Sequence, residues 1–491
     1  LAALLVAGCR VGPKYQQPPA MAQAPPAAYK ETPAASSNAG DWKVAQPQDA
    51  MLHGKWWEIY NDPELNGLED KLNIDNQNIK VYFANFMEAR TLIAQARAQL
   101  FPTLTAAPSF NRSLSSGSLT NASTANTGKE SSVTTMGLDA SWAPDLWGKV
   151  RNQISEEQYN AQVSEADLEN EKLTEQATLA ITFFEIRGQD ALQAVFDQTI
   201  ADDQKSLDYT RAQYETGVGT EISVVEAENT LENAQAAATN LGVARAEEEH
   251  AIAMLIGTDP STFNIAVKAL NAAPPAVPIG VPSQLLERRP DIAASERSMA
   301  AANAEIGVAT AAFYPALTLS ATGGFESSTI GNLFNWPSRF WSVGASVAQP
   351  LFDAGLRRAT VNQYIEVYNA DVASYRQTVL GAFQQVEDYL ATERILSQQL
   401  VQQQAAADSA RRFVDLETAR YQTGIDPYID LVTAQETLLS DQQTLTTLHT
   451  QAMTASVELI EALGGGWDST QLPTPAQVTV KMTTAETTFQ K

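Results

Sequence analysis

Two runs of 67 residues, 149–215 and 356–422, contain no proline and one glycine each, Gly188 and Gly381. In the second run, apolar residues fall at 361, 365, 368, 372, 375, 379, 383, 386 and 390. That spacing is the helical period. A helix of this length reaches roughly 100 Å at about 1.5 Å per residue. Globular helices average about 11–12 residues. A helix so long must lie against neighbours along its length, as in a coiled coil or a large bundle.

The runs belong to an internal duplication. Sliding the chain by 207 positions aligns Gly148 with Gly355, Gly217 with Gly424 and Gly257 with Gly464. Between 212 and 235, ten of 24 residues meet an identical partner, among them Tyr214, Gly217 and Thr230. A unit this large is not a short-period solenoid. Each half reads as helix, hairpin, long helix, turn, helix. Residues 1–8 read as a signal-peptide remnant, and 9–55 as a lipid anchor with an extended segment. The first repeat is 56–257, with a β-hairpin at 102–147, the long helix 149–215 and a helix at 220–256. A proline-rich inter-repeat linker, 258–289, follows. The second repeat is 290–464, with a β-hairpin at 315–354, the long helix 356–422 and a helix at 427–463. A Thr-rich tail, 465–491, is expected to be ordered only in part.

Four stretches alternate with period two: 103–110, 135–142, 317–325 and 341–347. Their apolar sets include Leu104 and Phe110, Met136 and Leu138, Leu317 and Leu319, and Trp341 and Val343. The opposite sets are small and, apart from Asp139, uncharged. Phe101, Trp142, Tyr314, Phe340 and Trp341 stand near the strand ends. One apolar face, one polar face and aromatic girdles are the pattern of a transmembrane β-barrel. A soluble sandwich shows the same alternation. Four strands cannot close a barrel alone, since single-chain barrels begin at about eight. Either the sheet is open and soluble, or several chains share one barrel. The hairpin loops near 112–131 and 327–338 are rich in Ser, Thr, Asn and Gly, which suits the outside of a cell.

There are 57 acidic and 32 basic residues, for a net charge of −25. This argues against a nucleic-acid partner, which needs clustered Lys and Arg. The single cysteine, Cys9, excludes an intrachain disulfide. It follows the apolar run "LAALLVAG", too short to span a membrane. The run reads as the end of a secretory signal. Val6-Ala7-Gly8-Cys9 resembles a bacterial lipoprotein cleavage box, with Val in place of the usual Leu. A covalent lipid is therefore expected on Cys9. Arg10 replaces the Asp that holds lipoproteins in the inner membrane. A buried structural cysteine is the competing reading. Residues 11–50 are poor in large apolar groups, carry seven prolines and read as an extended tether.

The motifs "VGPKYQQP" (11–18), "WWEIYNDPELNGLEDKLNIDNQNI" (56–79), "LLERRPDIAASERSMAAANAEIGVATAAFYPALTL" (285–319) and "ARYQTGIDPYIDLVTAQ" (419–435) resemble the outer-membrane factors of tripartite efflux systems, in their lipoprotein branch. The resemblance covers the chain from Cys9 onward. It implies a membrane α/β-barrel built as a homotrimer. Four strands per chain would give a 12-stranded outer-membrane β-barrel, continuous with a long periplasmic α-helical barrel. It also implies a periplasmic adaptor and an inner-membrane pump of the resistance-nodulation-division type as partners, with outer-membrane lipid around the barrel. No cofactor is expected beyond the lipid.

The same resemblance assigns the two glycine turns. They would be the periplasmic tips of two helical hairpins, where Gly217 and Gly424 supply the left-handed backbone that helix ends need. The adaptor would dock at Gly217, Val218, Gly219 and Thr220 and at Gly424, Ile425, Asp426 and Pro427. Pro427 is expected just inside the new helix. Asp430 matches the family's acidic gate, with Ile429 as a hydrophobic constriction. Thr433 stands where a second Asp is often found, which breaks a double acidic ring. In the first hairpin the gate candidates are Ser223 and Glu226. A solvated helical face is the alternative for Asp430 and Glu226. Tyr214 and Tyr421 either hold the tips by phenol hydrogen bonds or pack.

No phosphate loop, nucleophile elbow or metal-binding Cys/His cluster is present, so no enzyme is expected. An envelope hydrolase is a weak alternative, since helical carboxylates could pair by chance. A non-conducting, lipid-anchored tether across the periplasm is the stronger one. It explains the long helices but not the alternating strands. The expected function is a passive exit duct in the bacterial outer membrane.

Overall fold

The computed structural model describes residues 9–21, 28–31, 54–114, 116, 130–270, 272–277 and 282–479. The signal remnant, Val6–Gly8 of the cleavage box, most of the first hairpin loop and the last twelve residues lie outside these.

Each half builds a helix pair, a hairpin and a second helix pair. The first half has α1 (Pro63–Asp75), α2 (Gln77–Ala98), β1 (Thr103–Leu114), β2 (Glu130–Trp142), α3 (Lys149–Glu215) and α4 (Glu221–Leu255). The second has α5 (Pro282–Arg288), α6 (Pro290–Ala311), β3 (Ala316–Ser327), β4 (Arg339–Ala348), α7 (Leu356–Gln422) and α8 (Tyr428–Ala462). Short α9 (Pro475–Val478) ends the described chain. Helices α3 and α7 are unbroken for 67 residues each, as their lack of proline allows. Both begin after a left-handed glycine, Gly148 and Gly355.

The offset of 207 holds from these glycines onward. Upstream it is different: Gln77 to Pro290 and Thr103 to Ala316 are each 213 positions apart. The second hairpin is therefore six residues shorter, and one fixed offset does not detect the upstream repeat.

The four strands form one antiparallel sheet in the order β1-β2-β3-β4. Register places Leu104 opposite Ala140, Ala140 opposite Ala321 and Ala321 opposite Val343. Directly opposed residues share a face, so the apolar sets of all four strands join into one apolar face. That face is bare in the single chain, with Leu104 71%, Trp341 76% and Val343 74% exposed. From Leu317 to Phe325 it runs about 27 Å at roughly 3.4 Å per residue. Outer-membrane barrels carry an apolar band about 25 Å tall. Among the described residues, strands β1 and β4 each keep one edge without a partner strand.

The main core lies partway along the helices, where both repeats meet. Trp56, Trp57, Leu65 and Leu72 pack on Phe183, Phe184 and Ile186 of α3, Ile252 of α4, and Val457 and Ile460 of α8. Each such side chain contributes about 1.5–3 kcal/mol on full burial. The linker is tied down beside it. Asp190 accepts from Arg245 Nε (2.7 Å) and from the Lys268 amide (2.8 Å). Arg187 pairs with Glu64 and Asp190.

One expectation needs correction. Residues 9–21 and 28–31 are extended, but they are packed rather than free. The Val11 amide donates to Trp147 O (3.0 Å), and Asn303 Nδ2 donates to Pro13 O (3.2 Å). Tyr29 is buried against Leu285, Met299 and α7 residues, and Glu387 accepts from the amides of Lys30 and Glu31. Backbone hydrogen bonding holds a segment that composition alone marks as a tether. The C-terminal tail, expected to be ordered only in part, docks as far as Thr479. Val478 is buried with Ile93 and Ala161, and Gln162 Nε2 donates to Pro473 O (2.7 Å).

Candidate functional site

Both turns sit at the helix ends remote from the sheet. Gly217 (φ 77°) and Gly424 (φ 73°) adopt the left-handed conformation. The Gly217 amide donates to Tyr214 O (2.9 Å) and the Val218 amide to Gln213 O (2.9 Å). The Gly424 amide donates to Tyr421 O and the Ile425 amide to Arg420 O, both at 3.0 Å. A Cβ at either glycine would meet nothing within 4 Å, so the backbone angle, not crowding, demands glycine there.

The two restarts differ. Thr220 caps α4, its side chain accepting from the Ser223 amide, and its Oγ1 lies 2.9 Å from Ser223 Oγ. Pro427 occupies the cap position of α8 instead of its first helical position, which corrects the sequence expectation. It still fits there, because a cap needs non-helical backbone.

The tip residues Val218, Gly424 and Ile425 are exposed, and so are Ile429, Asp430 and Thr433 in the first turns of α8. Thr433 Oγ1 donates back to Ile429 O (2.8 Å), which turns its hydroxyl toward its own helix. Ser223 and Glu226 are half-buried on α4. Among the described residues no hydrogen bond or ion pair joins either of them to Asp430.

Arg420 organises the second tip. It pairs in bidentate fashion with Asp426, with one N–O distance of 2.9 Å. The Arg420 hydrogen bond holds the Asp426 carboxyl below its ordinary range. Glu417 is pushed up by desolvation and by Asp426, with Asp430 adding to the rise. Three carboxylates thus act on one guanidinium, Asp426 by direct contact and Glu417 and Asp430 through their charge.

The two candidate tyrosines are not equivalent. Tyr421 is buried; its hydroxyl donates to Gln213 Oε1 (2.8 Å) and lies 3.1 Å from Thr210 Oγ1. Its ring packs against Tyr209 and Tyr428, at 5.8 and 5.3 Å between centroids. Both readings therefore apply to it at once. Tyr214 is 47% exposed. Tyr209 and Tyr428 escaped the sequence reading, although Tyr428 directly follows the cap proline. Asp203 also escaped it. This carboxyl is buried beside the tyrosine cluster, one oxygen has no hydrogen-bond partner, and burial, with help from Asp202, pushes it up to about 6. Nothing in its sequence context distinguishes it from other helical acids.

Cys9 is exposed and its thiol is free, which removes the buried-cysteine reading. It lies at the junction of sheet and helices, where Arg151 donates to its carbonyl (3.3 Å). Among the described residues no cluster of three metal-binding side chains exists, and no helix is long and apolar enough to cross a membrane.

An open apolar sheet continued by two helix pairs, each with one helix of roughly 100 Å, matches known proteins closely. The outer membrane efflux protein family matches residues 69–258 and 281–465. The chain belongs to that family. It is 31% identical over 476 residues to the solvent efflux pump outer membrane protein SrpC of Pseudomonas putida, covering 96% of this chain and 98% of that protein. It is 29% identical to the outer membrane protein OprJ of Pseudomonas aeruginosa, covering 95% of each. The solved structure of the outer-membrane channel OprN superposes with a TM-score of 0.83 at 28% identity, covering 94% of this chain and all of that one. The open state of the Neisseria gonorrhoeae outer membrane channel MtrE superposes with a TM-score of 0.79 at 25% identity, covering 94% and 99%. This efflux protein is an outer-membrane exit duct. Its family is one of transport channels, not of enzymes.

Proposed function

We propose that three copies of this efflux protein share one twelve-stranded barrel and one helical tunnel. The observation that carries this reading is the open sheet: it has two unpaired edges and one continuous bare apolar face. Pairing β1 of one copy with β4 of the next removes every edge, and lipid covers the face. The duct is passive, and an inner-membrane pump of the resistance-nodulation-division type supplies the energy. A periplasmic adaptor docks on the ring of six tips, at Gly217–Thr220 and Gly424–Pro427. The exposed Val218 and Ile425 give that ring an apolar component. A lipid on Cys9 anchors each copy at the sheet–helix junction.

The gate in this reading is a ring of three Asp430 side chains, with Ile429 beside it. Thr433, Ser223 and Glu226 line the neighbouring wall. Three carboxylates about 6 Å apart at an effective dielectric near 20 repel by roughly 3 kcal/mol per pair. Cations relieve that repulsion, so the ring favours them. The Arg420–Asp426 pair and the Tyr421 cluster hold the tip helices in place.

Cross-linking tests the assembly. With Cys9 replaced by Ser, cysteine pairs are placed along the free edges of β1 and β4. A covalent ladder ending at three chains is expected in some register. A ladder running past three, or none in any register, contradicts the shared barrel.

A further inference from the structure

We infer that the sheet–helix junction is a binding collar for the phosphate groups of anionic phospholipid in the leaflet nearer the helices. The chain as a whole carries a net charge of −25. The junction reverses that sign. Arg10, Lys149, Arg151, Arg357 and Arg358 gather there, against Asp145 and Asp353. They come from separate parts of the chain but share one level. Arg151 reaches Cys9 O, the Arg10 backbone abuts Gly148, and the Arg357 guanidinium lies 5.4 Å from the Phe313 ring. The two acids are already engaged, Asp145 by Arg151 (3.1 Å) and Asp353 by Arg357 (2.5 Å). Lys149 and Arg358 are exposed and have no acidic partner among the described residues.

Asp145 and Asp353 also accept from the backbone amides of Arg151 and Arg357 at the helix starts, but helix stability does not explain Lys149 and Arg358. The first turns of α3 and α7 contain no acid, although acids are favoured there and bases are not. A lipid surface does explain them. Leu351 is 92% exposed and Phe352 is 88% exposed, and Phe101 and Leu356 are also bare. This apolar rim continues the bare sheet face by which the channel meets the outer membrane. Apolar side chains at the acyl boundary with basic ones just outside it match an anionic headgroup layer in both polarity and charge.

The test uses the purified full chain, carried in phosphatidylcholine with and without phosphatidylglycerol. Phosphatidylglycerol retained after transfer to the gas phase is measured by mass spectrometry. The wild type is expected to retain it in preference to phosphatidylcholine. Replacing Lys149→Gln and Arg358→Gln together is expected to weaken that retention by about fivefold per charge. Arg339→Gln, at the opposite end of the sheet, is the control and should leave retention unchanged. Equal retention by the double variant and the wild type, or loss only in Arg339→Gln, overturns the proposal. If the double variant fails to assemble, salt decides on the wild type. Retention that falls as salt rises supports the collar, and salt-independent retention overturns it. Leu351→Ser with Phe352→Ser is expected to lower membrane retention without separating the copies. Dissociation into single chains with lipid retention intact means that a neighbouring copy covers this rim, and overturns the apolar half of the collar.

Discussion

Tyr421 and Tyr214 occupy equivalent places in the two repeats, yet only Tyr421 is built into the tip. Removing its hydroxyl in Tyr421→Phe leaves Gln213 Oε1 and Thr210 Oγ1 without that partner. A loss of about 1–2 kcal/mol is expected, against almost none for Tyr214→Phe. Urea unfolding followed at the tip by hydrogen exchange separates the two. Asp203 makes a pH-dependent prediction. Its folded value near 6 lies above the ordinary 3.8, so the folded state favours the protonated acid. The associated cost is absent at the lowest pH, grows as pH rises through this window and is complete above about 6. Asp203→Asn does not titrate. It should therefore stabilise the protein at pH 8, by up to about 3 kcal/mol, and give only a small part of that gain near pH 4. A gain of the same size at both pH values would remove burial of the charge as the cause. The sequence placed Asp426 and the two glycines at the turns because glycine spacing reports backbone angle. It could not reveal Tyr428, Asp203 or the Arg420–Asp426 pair, whose meaning depends on which helices pack together.

The long helices were legible because proline is absent and the apolar period is regular over many turns. Strand faces were legible too, since alternation survives in every strand. Two things were not. The change of offset from 207 to 213 is hidden inside loops of different length. The N-terminal segment and the tail are held by backbone and amide hydrogen bonds and by isolated buried anchors such as Tyr29 and Val478, too sparse to leave an apolar period. The lone glycines of the two long helices show how much context matters. A Cβ on Gly188 would lie 2.3 Å from Thr450 Oγ1 of α8, whereas one on Gly381 would meet nothing within 4 Å. Gly188→Ala should destabilise by about 1–3 kcal/mol through overpacking of the α3–α8 crossing. Gly381→Ala should stabilise by about 0.5–1 kcal/mol through helix propensity. Thermal unfolding in detergent should shift in opposite directions for the two. A shift of the same sign in both would show that the crossing does not depend on close approach at Gly188.

At the scale of the molecule, a single chain leaves too much unfinished to be a stand-alone tether. Its sheet has two free edges, its apolar face is bare, and two helix pairs extend far from it without closing a tunnel. The proposed assembly of three copies resolves all three. In that proposal the gate belongs to no one chain, and it requires no closing contact of Asp430 within its own. Conductance of the purified protein in a planar lipid bilayer tests this account most directly, with Asp430→Ala alongside. The account predicts discrete, cation-preferring steps that enlarge in Asp430→Ala. Absence of steps from both proteins, despite insertion of intact trimers, would contradict a conducting duct.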